Sequence, residues 1–197
     1  GSYGILWVLK DMIMQDFMWA VRQTIPSTIF TAVALGLYWT PGYLLMVPEN
    51  APQVTPLRAL LCIIIHTLGV SLMMCSDAQK YYTLRLKKGL ISDGWFARSR
   101  NTNYLGEIMI YSSYALLAQH WLPWTVDGLA WILLFTTNMY AKEVSLAKKA
   151  GAEPYFARSS MLLPSFWCGE QPNDRTAKYV AKMANIQSSA KPRTVAT

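Results

Sequence analysis

The stretch LRALLCIIIHTLGVSLMMC, residues 57–75, decides the fold of this chain. Arg58 at its start is its only charged residue, and His66 lies near its middle. A second stretch, PSTIFTAVALGLYWTPGYLLMV at residues 26–47, has no charged residue. As a helix, each is long enough to cross a hydrocarbon core of roughly 30 Å. Both stretches therefore predict membrane-spanning helices.

Two further apolar runs predict a third and a fourth span. They cover Asn103–Trp121 and Trp124–Ala141, are interrupted only by Glu107 and Asp127, and are separated by a turn at Leu122-Pro123. The alternative for this pair is a buried helical hairpin of a soluble protein. We expect an all-α, polytopic membrane protein with about four transmembrane helices.

Composition and charge support a membrane protein. Hydrophobic residues make up 53% and charged residues 15% of the chain, and the net charge is +7. With four spans, every one of the 18 Lys and Arg residues except Arg58 lies on one side of the membrane. The positive-inside rule makes that side cytosolic or matrix-facing. We expect the endoplasmic reticulum or the mitochondrial inner membrane, membrane lipids as surroundings and no nucleic-acid partner.

The chain divides into three parts. Residues 1–24 predict an amphipathic, interfacial helix, residues 25–167 the transmembrane domain, and residues 168–197 a polar tail. Thr40-Pro41-Gly42 predicts a kink in the first span. The apolar segment Met161–Pro164 predicts a re-entrant or interfacial segment. The cysteines lack metal-ligand spacing, so no metal site is predicted.

The polar stretch SDAQKYYTLRLKKGLISDGWFARSRNTN, residues 76–103, predicts a loop between the second and third spans. Its basic residues, including Lys80, Arg98 and Arg100, suit the phosphates of a nucleotide. The alternative is that they bind anionic lipid headgroups or only set the topology. Asp77 could bind a ribose or cap the next helix.

Several polar residues within the predicted spans are candidates for chemistry. Glu107 and Asn103 share a helical face and could hold a carboxamide or a ribose; the alternative is a structural bridge from Glu107 to Arg98 or Arg100. His66 is more simply a neutral imidazole bonded to a neighbouring helix than a proton donor. Tyr38 and Tyr43 are similar weak candidates.

The run GLISDGWFARSRNTNYLGE, residues 89–107, resembles the signature of the steroid 5-alpha-reductase C-terminal domain superfamily. Flanking elements at residues 76–80, at Lys142-Glu143 and from Tyr155 to Pro164 extend the resemblance. Thr102 stands where the motif has Pro, and Val144 and Ser145 stand where steroid reductases often have His. Only one span precedes the matched region, so the chain resembles an N-terminally shortened member.

The resemblance implies an NADPH pocket that opens to the basic side of the membrane. Its implied cofactor-binding residues are Asp77, Lys80, Arg98, Arg100, Asn103, Tyr104, Glu107, Tyr155 and Arg158. The implied reaction is the reduction of a carbon–carbon double bond of a lipid or sterol-like substrate. The alternative is a non-catalytic subunit, derived from a reductase, of a large membrane complex such as a mitochondrial inner-membrane assembly. A methyltransferase is a third interpretation, because a more distant branch of the superfamily shares a helical cofactor pocket, but the motif is more similar to that of the reductases.

Overall fold

The computed structural model describes residues 2–15, 24–47, 49, 52–165 and 173–186. Within these residues the chain is helical and contains no strand, apart from one isolated bridge between Ser99 and Ser160. The all-α expectation is therefore confirmed. The α-helices are α1 (Ser2–Ile13), α2 (Ile25–Leu37), α3 (Thr40–Met46), α4 (Pro56–Leu86), α5 (Thr102–Ala118), α6 (Trp121–Ala130), α7 (Thr136–Ala147), α8 (Ala152–Arg158) and α9 (Asp174–Asn185). A 3₁₀-helix covers Gly94–Phe96, and a π-helix, Trp131–Phe135, joins α6 to α7.

Helix α4 is longer than the predicted second span. Its 31 residues extend over roughly 46 Å, more than the hydrocarbon core needs. The expected loop therefore does not begin at Ser76, and that boundary was wrong: the chain stays helical until Leu86, because polar residues end a membrane span without ending a helix. Asp77 lies inside α4 and caps no following helix.

The first predicted span is bent. Helices α2 and α3 meet at 42°, and the break falls at Tyr38 and Trp39, just before the Thr40-Pro41-Gly42 element. Pro41 occupies the first turn of α3, where its missing N–H costs no hydrogen bond. The predicted kink is confirmed, shifted by two residues towards the N-terminus.

The turn after α5 also differs from its predicted position. Gln119 has a left-handed φ of 50°, and the His120 ring accepts a hydrogen bond from the Leu122 amide, which starts α6. Pro123 therefore lies in the first turn of a helix and not in the connecting turn. A proline in the first turn of a helix loses no backbone hydrogen bond, so Pro123 is compatible with the start of α6.

Among the described residues, α4 is long and apolar enough to cross a membrane by itself, and α2 with α3 provides a second candidate if the bent pair forms one span. Helix α5 has 17 residues, and the π-helix divides the apolar stretch that follows it. The third and fourth spans therefore stay predictions.

The chain forms two compact units. The first contains residues 1–71 and 106–133. In it, Gly69 of α4 lies so close to α5 that an added Cβ would be 2.7 Å from the Gly106 carbonyl oxygen. Helix α3 contacts α6 in the same unit. Small residues thus permit the close packing of α4 and α5.

The second unit contains residues 72–105 and 134–197. Its core lies where α7, α8 and α9 pack together, and its buried members are Val144, Leu146, Ala147, Ala152, Tyr155, Phe156, Val180 and Met183. Helix α9 was absent from the sequence analysis, which treated residues 168–197 only as a polar tail. Asn173 caps this helix by accepting a hydrogen bond from the Thr176 amide at 2.9 Å. Residues 16–23, 166–172 and 187–197, which include parts of the predicted first helix and tail, lie outside the described residues.

Candidate functional site

A pocket of about 240 Å³ lies within the second unit. The end of α4, the following loop, the 3₁₀-helix, α7 and α8 supply its walls. The lining residues are Lys80, Leu84, Gly89, Ile91, Phe96, Arg100, Lys142, Ser145, Leu146, Lys149 and Tyr155. This set contains four cationic side chains and no carboxylate, so the pocket is suited to an anion.

Three lysines give the pocket its charge. Lys80 is exposed, while Lys142 and Lys149 are half-buried. The Lys149 Nζ donates a hydrogen bond to the Gly89 carbonyl at 3.0 Å, and the Lys142 Nζ lies 5.2 Å from the centre of the Phe96 ring. Lysine ammonium groups carry three donors each, so these contacts leave donors for a ligand.

Burial and neighbouring positive charge both act on the pKa of Lys142. Burial, followed by repulsion from Lys80, lowers the pKa of Lys142 from 10.5 to about 8, although Asp77 and Glu143 act in the opposite direction. Burial and then Lys80 also lower the pKa of Lys149. A bound anion would reverse both effects, because it stabilises the charged ammonium groups.

Arg100 borders the pocket but is held by a buried ion pair. Its Nε donates to Glu143 Oε1 at 2.7 Å, and its Nη2 donates to Oε2 at 2.9 Å. The Nη1 group donates to the Ser159 carbonyl and hydroxyl, and the guanidinium lies 4.2 Å from the Phe156 ring centre. Glu143 is fully buried and also accepts from the Tyr179 hydroxyl at 3.3 Å. Arg100 therefore uses most of its donors within the protein.

Tyr155 and Arg158 on α8 tie the pocket wall together. The buried Tyr155 hydroxyl donates to the Phe96 carbonyl at 3.0 Å, and burial is the main reason why the pKa of this phenol is raised. Arg158 donates through Nη2 to the Ser92 carbonyl at 2.8 Å. Both side chains thus hold the segment between α4 and α5 against α8.

The other predicted cofactor residues of the second unit lie outside the lining. Asp77 is half-buried within α4, and Arg98 is exposed, with a backbone carbonyl that accepts from the Ser160 and Ser165 amides. Asn103 is half-buried, and no described residue hydrogen-bonds to its buried Oδ1. The Tyr104 ring packs on Phe135 with the ring centres 4.9 Å apart.

The remaining candidates belong to the first unit. Glu107 is half-buried on α5. The His66 Nδ1 lies 3.3 Å from the Ser113 hydroxyl of α5, which is the contact with a neighbouring helix expected for a structural imidazole. Tyr38 stacks on Tyr111, whereas Tyr43 is 62% exposed. Catalytic roles for His66, Tyr38 and Tyr43 stay predictions.

Sequence reasoning missed three residues of the site. Lys142 and Glu143 were recognised only as a motif element, and Lys149 received no role. The available signal was the adjacent Lys-Glu pair at the end of an apolar run, because a charge pair there must face protein or water. The alternative of an ion pair between Glu107 and Arg100 is wrong for Arg100, because its acidic partner is Glu143.

Comparisons with known proteins place this geometry in context. A protein family of unknown function, DUF1295, matches residues 9–160 of the chain. An uncharacterized protein of Schizosaccharomyces pombe is 44% identical over 72 residues, which cover 36% of this chain and 23% of the relative. Less than a quarter of that relative is therefore represented by the match. No solved structure matches the chain.

Proposed function

The chain belongs to DUF1295, a family related to steroid 5-alpha-reductase-like proteins, and from this we propose that it is a membrane oxidoreductase that uses NADPH. Its substrate in this proposal is a lipid or sterol-like molecule with a reducible carbon–carbon double bond. The observation that carries the proposal is the pocket of the second unit, whose charged lining is entirely cationic.

The residues of the pocket fit part of NADPH. Lys80, Lys142 and Lys149 offer ammonium donors to phosphate oxygens. Outside the lining, the buried Oδ1 atom of Asn103 is an acceptor to which no described residue hydrogen-bonds. Pockets for drug-sized ligands have volumes of roughly 300–1,000 Å³. A pocket of about 240 Å³ therefore suits one phosphate-bearing portion of the cofactor and not the whole dinucleotide.

NADPH, when bound, supplies the hydride. The protein's own contribution is to hold and aim the cofactor. The three lysines neutralise phosphate charge, while Phe96 and Leu146 exclude water from part of the pocket. Arg100, fixed by Glu143 and Ser159, holds the wall of the pocket in place.

A membrane location is supported by the exposure of apolar helices. Only 22% of the most apolar segment of α4 is buried within the protein, and no residue of α2 is buried. A core helix of a soluble protein would be mostly buried. We infer four spans, with the basic segments facing the cytosol or the mitochondrial matrix, in the endoplasmic reticulum or the mitochondrial inner membrane.

The second candidate function is a non-catalytic subunit of a large membrane complex. One observation favours it: the described lining of the pocket contains no imidazole or carboxyl group that could donate a proton to a reduced double bond. The Tyr155 hydroxyl is already bonded to a backbone carbonyl. In this case the pocket binds a nucleotide without chemistry.

The experiment is a titration of the detergent-solubilised full chain with NADPH, followed by nicotinamide fluorescence. We expect saturable binding that Lys142→Met weakens by about tenfold or more, the effect of losing one hydrogen bond to a charged group. Lys88→Met is the matched control, because Lys88 is exposed, does not line the pocket and removes the same charge. Absence of binding by the wild-type chain would overturn the proposal.

A further inference from the structure

Lys142 differs from the other cationic side chains of the pocket in what its nitrogen contacts. The guanidinium of Arg100 is committed to its ion pair with Glu143, and Lys149 donates to a backbone carbonyl. Within the part of the chain that the structure describes, Lys142 Nζ has no hydrogen-bond acceptor and lies 5.2 Å from the centre of the Phe96 ring. The nitrogen of Lys142 is therefore available to a molecule in the pocket.

The pocket gives a small molecule access to Lys142. Lys142 itself is half-buried, whereas three other lining residues are exposed to solvent, namely Lys80, Gly89 and Ser145. The lining also contains apolar side chains, which are those of Leu84, Ile91, Phe96 and Leu146. With a volume of about 240 Å³, the pocket is smaller than the roughly 300–1,000 Å³ of pockets for drug-sized ligands. A small guest with an anionic group therefore fits its size and charge.

The charges around Lys142 favour its neutral, nucleophilic form. Burial has the largest effect and acts together with repulsion from Lys80 and Lys149. These effects outweigh the attraction of Asp77 and Glu143, so the pKa of Lys142 falls from 10.5 to about 8. About a quarter of such side chains are neutral at pH 7.5. A lysine that is desolvated and adjacent to other cations is suited to imine formation with a carbonyl compound.

We propose that Lys142 forms a reversible imine with a small aldehyde that carries a phosphate group. The Nζ lone pair attacks the carbonyl carbon, the carbonyl oxygen leaves as water, and a protonated C=N bond forms without any oxidation or reduction. Lys80 and Lys149 bind the phosphate. The protonated imine has the same charge as the ammonium group that it replaces, so the phosphate stabilises the product. This activity requires the pocket but not NADPH, and it goes beyond the proposed reductase.

The test treats the purified full chain with pyridoxal 5′-phosphate in the absence of NADPH. Borohydride then reduces each imine to a stable amine, and mass spectrometry of peptides measures the labelling rate at each lysine. We expect Lys142 to react about tenfold or more faster than Lys88, which is exposed and lies outside the lining. Pyridoxal, which lacks the phosphate, should lose most of this preference. Equal rates at the two lysines, or the same preference with pyridoxal, overturn the proposal.

Two variants assign the reaction to the proposed residues. Lys142→Arg keeps the positive charge but removes the nucleophile, so the fast labelling should disappear; fast labelling that moves to Lys80 or Lys149 overturns the assignment. Lys80→Met should slow the labelling of Lys142 about tenfold, because the phosphate loses a charged donor, and an unchanged rate overturns the site. NADPH titration of the same samples separates the two proposals. NADPH binding without preferential labelling overturns this inference alone, and preferential labelling without NADPH binding overturns the reductase alone.

Discussion

Removal of the Glu143 carboxylate should strongly destabilise the second unit. The side chain is fully buried and accepts two charge-assisted hydrogen bonds from Arg100, at 2.7 and 2.9 Å, and one from Tyr179. Glu143→Ala leaves a guanidinium that is only 6% exposed without its counter-charge. Breaking a buried pair in this way costs about 3–5 kcal/mol. For a chain of this size we expect the melting temperature to fall by about 6–20 °C.

The assay is thermal unfolding in detergent, followed by tryptophan fluorescence, with Glu153→Ala as the control. Glu153 is exposed on α8, so its loss should change the free energy of unfolding by no more than about 0.5 kcal/mol. The double variant Arg100→Met/Glu143→Leu should recover much of the loss, because it removes both charges together. A loss of less than about 1 kcal/mol in Glu143→Ala would refute the claim that this variant leaves Arg100 buried without a counter-charge.

Four further outcomes are expected. NADPH affinity should fall as the pH rises above about 8, because free Lys142 then loses the proton that a bound phosphate requires; fluorescence titrations from pH 7 to 10 measure this. Over the window from about 8 to 10.5 the same residue should make the ligand-free protein more stable with rising pH, since the unfolded chain then binds the extra proton. A pH-independent affinity contradicts the first of these expectations. Gly69→Ala should cost about 1–3 kcal/mol in thermal unfolding because its Cβ meets the Gly106 carbonyl oxygen, whereas Gly36→Ala, with open space around it, should not destabilise. Tyr179→Phe should cost about 1.5–3 kcal/mol in the same assay, the value of a hydrogen bond to a charged group, and a neutral result would show that the bond to Glu143 does not hold α9 in place.

Helices were the part of this fold that the sequence predicted well. Helices α2 and α3 were predicted by the uncharged run at residues 26–47, and α4 by the run at residues 57–75. Pro41 predicted the bend. The end of α4 is not predicted by the sequence pattern, because polar residues follow Cys75 while the helix continues. Polarity marks where lipid ends, whereas the helix itself continues to Leu86, three residues before Gly89, whose φ of 151° most side chains avoid.

Helix α9 shows a different limit. Its two buried residues, Val180 and Met183, are spaced by one helical turn, but they stand in a stretch that is otherwise mostly charged, polar or Ala. Two apolar positions in a polar background are too few to predict a docked helix. Only the groove between α7 and α8 makes them core residues.

The cationic pocket depends on contacts that spacing alone does not reveal. Lys80 and Lys142 belong to different helices, and Lys149 reaches Gly89 across 60 residues of sequence. The departure from the reductase motif at Thr102 has a structural explanation of the same kind. Its hydroxyl donates to the Trp95 carbonyl at 2.6 Å and contacts the Ser99 carbonyl at 3.1 Å, so threonine ties the start of α5 to the preceding loop.

The most direct test of the proposed reductase is transfer of deuterium from NADPH labelled at the transferable C4 position of the nicotinamide. The full chain is incubated with the labelled cofactor and a total lipid extract, and the lipids are analysed by mass spectrometry. We expect wild-type protein to yield a lipid that carries one deuterium at a newly saturated carbon, with Lys142→Met much less active and Lys88→Met equal to wild type. NADPH that binds without any transfer of deuterium would contradict the reductase and leave the non-catalytic subunit.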